Sequence, residues 1–249
     1  MIQNNFTTKT LTPWADNIPT EWVLCRLDTV ADVIFSNVDK HSLEGEDPVK
    51  LCNYVDVYKN EFITANIEFM EATAENREIV KFQIQKYDVL ITKDSEEPDD
   101  IAIPALVTEE LPGVICGYHL ALIRPRSKRV TGDFIAWLHR SKQFRAQYEA
   151  NAVGVTRFGL SQYVVRSALI PLPPRAEQER INEYLLKSCK AIDTIAALAT
   201  PKDDTRLTEG ILNKQMKILR SYRNSLIHEC VTGQRRISDA DIKKVKAHA

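Results

Sequence analysis

A change of pattern at the prolines of residues 171–174 limits the possible fold more than any other feature of this chain. Before it, short runs rich in β-branched and aromatic residues alternate with turn signals, whereas residues 175–198 contain neither glycine nor proline. The apolar residues after it recur at steps of three and four, the spacing of one helix face: Ile181, Leu185, Cys189, Ile192, Ile195 and Leu198. The pattern predicts an α+β chain, with a globular mixed α/β domain over residues 1–174 followed by a helical, coiled-coil-like arm.

The arm is predicted to contain two helices. Pro201 ends the first, residues 200–210 form a polar interruption, and the second begins near Ile211. Apolar residues of the second helix repeat at intervals of seven, namely Leu212, Leu219 and Leu226, and Ile211 and Ile218. The repeat covers about two heptads, fewer than the ~3–4 that identify a coiled coil. The pattern fits equally a helical hairpin packed on its own domain and an arm that pairs with a partner. The arm spans residues 175–232, and a basic tail follows over residues 233–249.

Shorter elements are predicted before the prolines. Strands are expected at residues 49–58, 86–93, 117–124 and 164–171. Thr131 is suited to cap a helix over residues 132–149. Residues 151–161 carry two glycines around the run Val-Thr-Arg-Phe, which predicts an exposed turn.

The charge of the chain is nearly balanced but unevenly distributed. The formal net charge of −1 argues against a polycation that coats nucleic acid non-specifically. Residues 92–110 carry seven acidic residues and one lysine, whereas residues 120–148 carry seven basic residues and one aspartate. Residues 205–249 carry ten basic and four acidic residues. Each block alone fits a solvated surface, and together they favour a polarised molecule with a phosphate-facing side.

Several classes of protein are disfavoured by what the sequence lacks. No apolar run approaches the ~20 residues that span a membrane, and the start has no apolar signal-peptide core. The five cysteines are scattered without a Cys-x-x-Cys pair, which favours a reduced, cytoplasmic location over a disulfide framework or a zinc site. The chain has no phosphate-binding loop, no G-x-G-x-x-G and no H-E-x-x-H motif. We therefore expect a non-catalytic chain with no metal or cofactor of its own; the acids of residues 96–100 could bind a divalent cation, but an acidic loop is the simpler interpretation.

Six segments, taken in order along the chain, resemble one family. They are the opening with Trp14, Pro19 and Trp22; LCNYVDV at residues 51–57; YDVLITKD at residues 87–94; GVTRFGLS at residues 154–161; IPLPP at residues 170–174 with Glu177, Gln178 and Ile181; and YRNSLI at residues 222–227 with VTG at residues 231–233. Together they resemble the specificity subunits of type I restriction–modification enzymes.

The resemblance implies a division of labour. A target-recognition domain reads one half of a bipartite site in double-stranded DNA, and conserved helices space the two halves. Two modification subunits bind S-adenosylmethionine and methylate adenine, while a restriction subunit translocates and cleaves DNA. This chain departs from the family in having one recognition domain and one helical region instead of two of each, as a natural or truncated half-subunit would. It also departs at residues 199–210, which interrupt the usual single rod.

Base reading requires polar side chains at a groove, with cations on the phosphates nearby. The candidates for DNA contact lie in the glycine-flanked turn and just after it: Thr156, Arg157, Ser161 and Gln162. The candidate phosphate contacts are basic residues that follow predicted strands: Lys93, Arg124, Arg126 and Lys128. Each of them could instead be an ordinary solvent-exposed side chain.

The assembly and two other functions stay open. We expect a homodimer joined through residues ~175–232 by antiparallel helix packing, or a pair with a second half-subunit. Its seam would use the apolar stripes of both helices: Ile181, Leu185, Ile192, Ile195, Leu212, Leu219 and Leu226. The alternative function is an interaction decoy or anti-restriction module, whose residues 92–110 would imitate the charge of DNA, although a net charge of −1 is small for a mimic. A methyltransferase with its own recognition domain is disfavoured because no nucleotide-cradling glycine loop is present.

Overall fold

The computed structural model describes residues 12–126, 128–198 and 206–247. The first part of the chain forms β1 (Val23–Arg26), β2 (Ala31–Phe35), β3 (Asp47–Cys52), α1 (Tyr54–Lys59), β4 (Phe62–Ile63), β5 (Met70–Ala74) and α2 (Asn76–Phe82). The middle forms β6 (Val89–Thr92), β7 (Asp94–Ser95), β8 (Pro104–Val107), β9 (Val114–Cys116), β10 (Leu120–Pro125), α3 (Gly132–Arg140) and α4 (Lys142–Glu149). The last part forms β11 (Phe158–Gly159), α5 (Gln162–Ser167), β12 (Leu169–Leu172), α6 (Arg175–Leu198), α7 (Arg206–Val231) and α8 (Asp239–Ala247).

A five-stranded mixed sheet organises the body, in the order β2-β10-β6-β8-β4. Its second strand, β10, is antiparallel to both neighbours, with Ala121 opposite Phe35 on one side and Ile91 on the other. Successive strand residues point to opposite faces, so Ala121 belongs to one hydrophobic cluster and Leu122 to another. Burial on both faces explains why these strands are continuous apolar runs without polar alternation.

Different layers cover the two faces of this sheet. On one face, β3 pairs with β5 and β9, and this small sheet packs with α1 and α2 through Leu51, Val57 and Phe82. On the other face lie α3, α4 and the C-terminal helices, which share a cluster that includes Phe134 and Leu185. The predicted mixture of helix and sheet, with helices at the C-terminal end, is confirmed.

The C-terminal helices pack closely on the body. α6 contacts both α7 and α8, and α7 contacts α3. Four residues expected to form a seam for a partner are buried in this chain's own core: Ile181, Leu185, Ile192 and Leu226. By contrast, Ile195 is 54% exposed and Ile218 is 59% exposed. The part of the arm that carries these four residues therefore packs on its own domain, as the hairpin interpretation predicts. The prediction that these four residues pair with a partner was wrong. The side chain of Leu212 lies outside what the structure describes.

Several of the family-like motif residues meet where the arm joins the body. Trp22 Nε1 donates a hydrogen bond to Glu177 Oε2 at 2.9 Å, and Arg236 Nε donates to Glu177 Oε1 at 2.6 Å. Gln178, fully buried, donates through Nε2 to the carbonyls of Arg129 (2.6 Å) and Pro173 (2.9 Å). These contacts give the Glu-Gln pair a structural role, because a buried polar group must find partners.

Two predicted strands were partly wrong. Within residues 49–58 the strand ends at Cys52. The Asp56 carboxylate then accepts the backbone N–H of Asn53 at 2.7 Å, and helix α1 begins there. Residues 164–171 begin as helix α5, whose N-cap is Ser161, and only Leu169–Leu172 are extended. In both places a capping side chain outweighed the β-propensity of valine and tyrosine.

The helix predictions also need two corrections. The helix expected over residues 132–149 starts at its Thr131 cap, as predicted, but breaks at Ser141, whose hydroxyl accepts the N–H of Phe144 and caps α4. The second helix of the arm begins at Arg206 rather than near Ile211. The polar interruption is therefore shorter than predicted, and residues 199–205 lie outside the described part of the chain.

Candidate nucleic-acid interface

The glycine-flanked turn, residues 151–161, projects from the body as predicted. Val153 and Gly159 form a backbone bridge across its base, with N···O distances of 3.0 and 2.9 Å. β11 then pairs with β7, which ties the turn to the segment that follows β6. A side chain at Gly154 would collide with the carbonyl of Arg157. The turn is thus held at its base while the Thr156 side chain stays exposed.

Arg157 lies over a carboxylate that two residues share. Its Nε donates to Asp94 Oδ1 at 2.7 Å, and His119 Nδ1 lies 2.8 Å from Asp94 Oδ2. The Asp94 side chain is 14% exposed, whereas that of Arg157 is 46% exposed. The arginine is therefore oriented by a nearly buried partner, which binds both Nε and Nη2, while nearly half of its side chain stays exposed to solvent.

Lys93 stands beside the turn but is engaged within the chain. Its Nζ donates to the Ser36 carbonyl at 2.8 Å and lies 4.2 Å from the centroid of the Tyr118 ring. Burial lowers the pKa of the Lys93 ammonium below its usual value. These contacts favour a role in shaping the surface under Tyr118, which is 46% exposed.

Ser161 and Gln162 also have partners in the fold. Ser161 Oγ accepts the N–H of Val164 at 3.3 Å and caps α5. Gln162 Nε2 donates to the carbonyl of Val33 at 2.6 Å, which fixes α5 against β2. Both residues remain exposed, so they border the turn as well as support it.

The other three basic candidates lie at the opposite end of β10. Arg124 donates to Asp88 at 2.9 and 2.7 Å, and Asp88 is nearly fully buried. Burial raises the pKa of Asp88, although its hydrogen bonds with Arg124 act in the opposite direction. Arg126 pairs with Asp32 at 3.0 Å, and Lys128 is exposed. The structure thus separates the eight candidates into one group at the turn and another beyond Pro125.

The second group borders an open cavity that we call the basic groove. Its volume is about 470 Å³, and it lies between the end of β10 and the first turns of α3 and α6. Its basic lining residues outnumber its acidic ones, and Asp88 and Arg124 form an ion pair with each other. The basic residues are Lys86, Arg124, Arg126, Lys128 and Arg175, and the acidic ones are Asp88, Asp133 and Glu179. The groove can attract an extended anion such as a phosphate backbone.

Helix α5 links the two groups with residues that the sequence analysis missed. Tyr163 is 69% exposed, and the Arg26 guanidinium lies 5.9 Å from its ring centroid. Arg166 lies one turn along α5, and its Nε is 3.7 Å from an Asp28 oxygen. Recognising Ser161 as an N-cap would have identified this helix and its exposed residues.

Two further searches of the described residues concern metals and membranes. No group of three or more histidine, cysteine or acidic side chains there is arranged to hold a metal ion. Within the same ranges, no helix has the length and apolar character to cross a membrane. The five cysteines are free thiols.

Solved structures with a similar fold come from type I restriction–modification systems. One is a chain from work on complex assembly and conformational transition of the type I R-M system, with 17% identity and a TM-score of 0.50 over 91% of this chain and 52% of that chain. Another is the HsdS subunit from Thermoanaerobacter tengcongensis, at 17% identity and a TM-score of 0.47 over 92% of this chain and 52% of that one. A third is the S subunit from M. genitalium, at 18% identity and a TM-score of 0.44 over 80% of this chain and 44% of that one.

These comparisons assign the chain to a family and not to an individual relative. The chain spans about half the length of the solved chains that it matches. No curated protein matches it. Residues 19–199, well over half of the chain, match the family described as the type I restriction modification DNA specificity domain. The resemblance seen in the sequence is thereby confirmed, and the chain belongs to the family of type I restriction–modification DNA specificity domains.

Proposed function

We propose that this chain reads one half of a bipartite site in double-stranded DNA and docks the modification subunits of a type I complex. The observation that carries the proposal is the exposed Arg157, held by the nearly buried Asp94 at the tip of a braced turn, within a matched DNA specificity domain. Arginine presented in this way suits the N7 and O6 acceptors of guanine in the major groove.

The surface that runs from Arg157 along β10 to Pro125 is about as long as a DNA half-site. His119 lies next to Asp94, and Pro125 stands six residues further along the chain at the far end of β10. At ~3.3 Å per residue this separation is about 20 Å, a little over half a turn of B-DNA. Thr156 and Arg157 would contact bases at one end, and Arg126 and Lys128 would contact phosphates at the other.

α5 would contribute contacts between those two ends. Gln162 is exposed and anchored to β2, so its free amide oxygen can accept from a base or a phosphate-bound water. Arg166 and Arg26 would supply further cations near the backbone, and Tyr163 would pack on sugar. Lys93 would act indirectly, because its amine already binds the Ser36 carbonyl.

The acidic block gives the decoy alternative little support, because three of its seven acids bind basic or hydroxyl partners within the chain. Asp94 binds Arg157 and His119, Asp99 binds Lys142 at 2.9 Å, and Asp100 accepts from the Tyr58 hydroxyl at 2.7 Å. A mimic of DNA must present its negative charges outward to a DNA-binding partner.

The assembly follows from the bipartite site. One recognition domain over residues 1–174 reads one half, and the other half needs a second recognition domain. A second copy or a second half-subunit would supply it by binding through the arm, residues 175–232, with the basic tail, residues 233–249, beside it. Apolar residues that the chain leaves exposed on α6 and α7 can serve such pairing: Leu186, Ile195, Ile218 and Tyr222. The modification subunits, which would carry S-adenosylmethionine, and the restriction subunits complete the assembly.

Selection from a randomised duplex pool tests this function directly. The purified chain, alone and with its modification subunits, is incubated with the pool, and retained duplexes are sequenced. We expect one short motif of a few adjacent base pairs per recognition domain. Retention of all sequences with equal frequency would contradict base reading, and retention of none would contradict DNA binding.

A further inference from the structure

A small cavity away from the proposed DNA surface is lined by an unusual number of arginines. It has a volume of about 210 Å³ and lies among the loop after α1, the start of β8, α3, α4 and α7. Its charged lining residues are Lys59, Arg140, Arg145 and Arg223 against the single acid Glu61. The lining therefore carries a net positive charge in a site that is partly shielded from water.

Arg140 is buried here, and only some of its guanidinium N–H groups have hydrogen-bond partners. Its side chain is 6% exposed and lies between two aromatic rings, 4.3 Å from the centroid of Trp137 and 4.9 Å from that of Phe62. Nη2 donates to the Glu61 carbonyl at 2.7 Å, and Nε lies 3.9 Å from a carboxylate oxygen of the same residue. Nε and Nη1 have no hydrogen-bond partner among the described residues.

The other two arginines add to this excess of donors. Arg145 Nη1 donates to the carbonyl of His139 at 2.7 Å, but its buried Nε has no hydrogen-bond partner in the described ranges. Arg223 binds Glu61 through Nη2 at 2.5 Å and lies 3.2 Å from Asp193 through Nε. Burial lowers the pKa of both Arg140 and Arg145, although Glu61 opposes this at Arg140 and Glu149, Asp99 and Asp100 oppose it at Arg145.

We propose that this cavity binds a tetrahedral oxyanion of the phosphate class through Arg140, Arg145 and Lys59. Planar guanidinium groups offer fixed pairs of N–H donors that match phosphate oxygens. A bound oxyanion would satisfy the unpartnered donors and offset the cost of burying like charges together. Arg223 of α7 lines the same cavity, so a bound oxyanion would lie at the contact between the arm and the body. This site stands apart from base reading and does not depend on it.

Calorimetric titration of the full chain with inorganic phosphate, in a chloride buffer, tests the site. We expect saturable binding at one site per chain, competition by sulfate, and a melting temperature that rises with phosphate concentration. Lys59→Gln, at the exposed rim, should weaken phosphate binding about fivefold, the effect of one partly screened charge. Lys50→Gln, an exposed lysine on β3 that lines neither cavity, is the matched control and should bind phosphate as the parent does.

Arg140→Lys separates directed hydrogen bonds from charge, because it keeps the charge but removes the Nε and Nη1 donors. It should weaken phosphate binding tenfold or more, and Lys59→Gln keeps the test valid if Arg140→Lys does not fold. A short DNA duplex added to the phosphate complex distinguishes two sources of the bound phosphate. If the duplex displaces inorganic phosphate from the parent chain, and does so less well from Lys59→Gln, the site binds a phosphate of the DNA backbone. If the duplex displaces none, the site binds the free ion. No saturable binding at millimolar phosphate, or equal affinity in the parent chain and Lys59→Gln, would overturn the proposal.

Discussion

Asp94 joins Arg157 to His119: its carboxylate accepts Arg157 Nε at 2.7 Å and lies 2.8 Å from His119 Nδ1. Asp94 belongs to β7, His119 to the loop before β10 and Arg157 to the glycine-flanked turn. The pairing of β7 with β11 holds the first and the last of these segments together. Contacts from two other segments therefore orient one of the side chains that the sequence analysis proposed for DNA contact.

Arg157→Ala should weaken binding to the selected half-site by about 1–3 kcal/mol, the range of a lost bidentate base contact. Anisotropy titrations with the selected duplex and with a scrambled one measure this loss, and the scrambled duplex should be affected less. Arg77→Ala, an exposed arginine on α2, is the control and should bind as the parent chain does. Equal losses on the two duplexes would assign Arg157 to phosphate instead of a base.

Asp94→Asn should weaken the same binding through Arg157. The amide keeps the size of the carboxylate but loses the charge that orients the guanidinium. In a double-mutant cycle the two substitutions should therefore be clearly non-additive, because the residues are in contact. Additive losses in the anisotropy titrations would show that Asp94 does not act by positioning Arg157.

Lys128→Ala should weaken the binding of all duplexes about equally. A lysine on a phosphate releases counterions when DNA binds, so its removal should reduce the slope of log affinity against log salt by about one. Titrations at several salt concentrations measure the slope. Lys190→Ala, on the exposed side of α6, should leave it unchanged; an unchanged slope for Lys128→Ala as well would remove the basic groove from the DNA surface.

Charge placed at two positions of α7 should have opposite consequences. Leu226 is buried in the chain's own core, so Leu226→Asp should cost several kcal/mol of folding free energy and unfold the chain. Ile218 is exposed, so Ile218→Asp should keep the circular dichroism spectrum and melting temperature of the parent while weakening self-association. Sedimentation of Ile218→Asp beside the control Lys214→Asp measures this. A parent chain that stays monomeric at high micromolar concentration would contradict self-pairing.

The free energy of unfolding should fall as pH is lowered from 7.5 to 5.5. Burial lowers the pKa of His139 from 6.5 to about 4 in the folded chain, where the ring contacts the Ile135 carbonyl and the Tyr148 hydroxyl. A group with a depressed folded pKa stabilises above its unfolded pKa, and this stability is lost as protons bind the unfolded chain. The loss over this interval should be about 1.4 kcal/mol from His139, and His228, whose pKa is also lowered by burial, acts in the same direction.

Urea unfolding of the parent chain and of His139→Gln at the two pH values measures this dependence. The variant should be less stable at pH 7.5 but should lose less stability on acidification. Equal losses in the two proteins would show that His139 is not the residue that links stability to pH.

The sequence predicted the helices and strands that show a regular pattern of buried apolar residues. It missed the helices whose position depends on a single capping side chain. The runs that became β6 and β10 and the inner face of α6 could be recognised because most of their apolar side chains are buried. α1, α5 and the break at Ser141 each depend on one capping residue, which a propensity argument does not weigh against neighbouring valines and aromatics. Of the candidate contacts, Arg157 could be recognised by its glycine-flanked turn, whereas the internal partners of Lys93 and Arg124 come from distant segments.

The family-like segments illustrate the same limit. Trp22, Glu177, Gln178 and Gly233 meet at the joint between body and arm, where their contacts hold the fold together. Resemblance in these segments identifies the family and includes the glycine-flanked turn, but it does not extend over α5, where other proposed DNA contacts lie.

Methylome sequencing of cells that carry this chain together with its modification subunit tests the central claim most directly. The account predicts methylated adenines within one two-part motif, whose halves match the half-site selected by the purified chain, and loss of that methylation when Arg157 is replaced by alanine. Methylation of the same motif in cells that lack this chain, or no methylated motif in cells that contain both subunits, would contradict it.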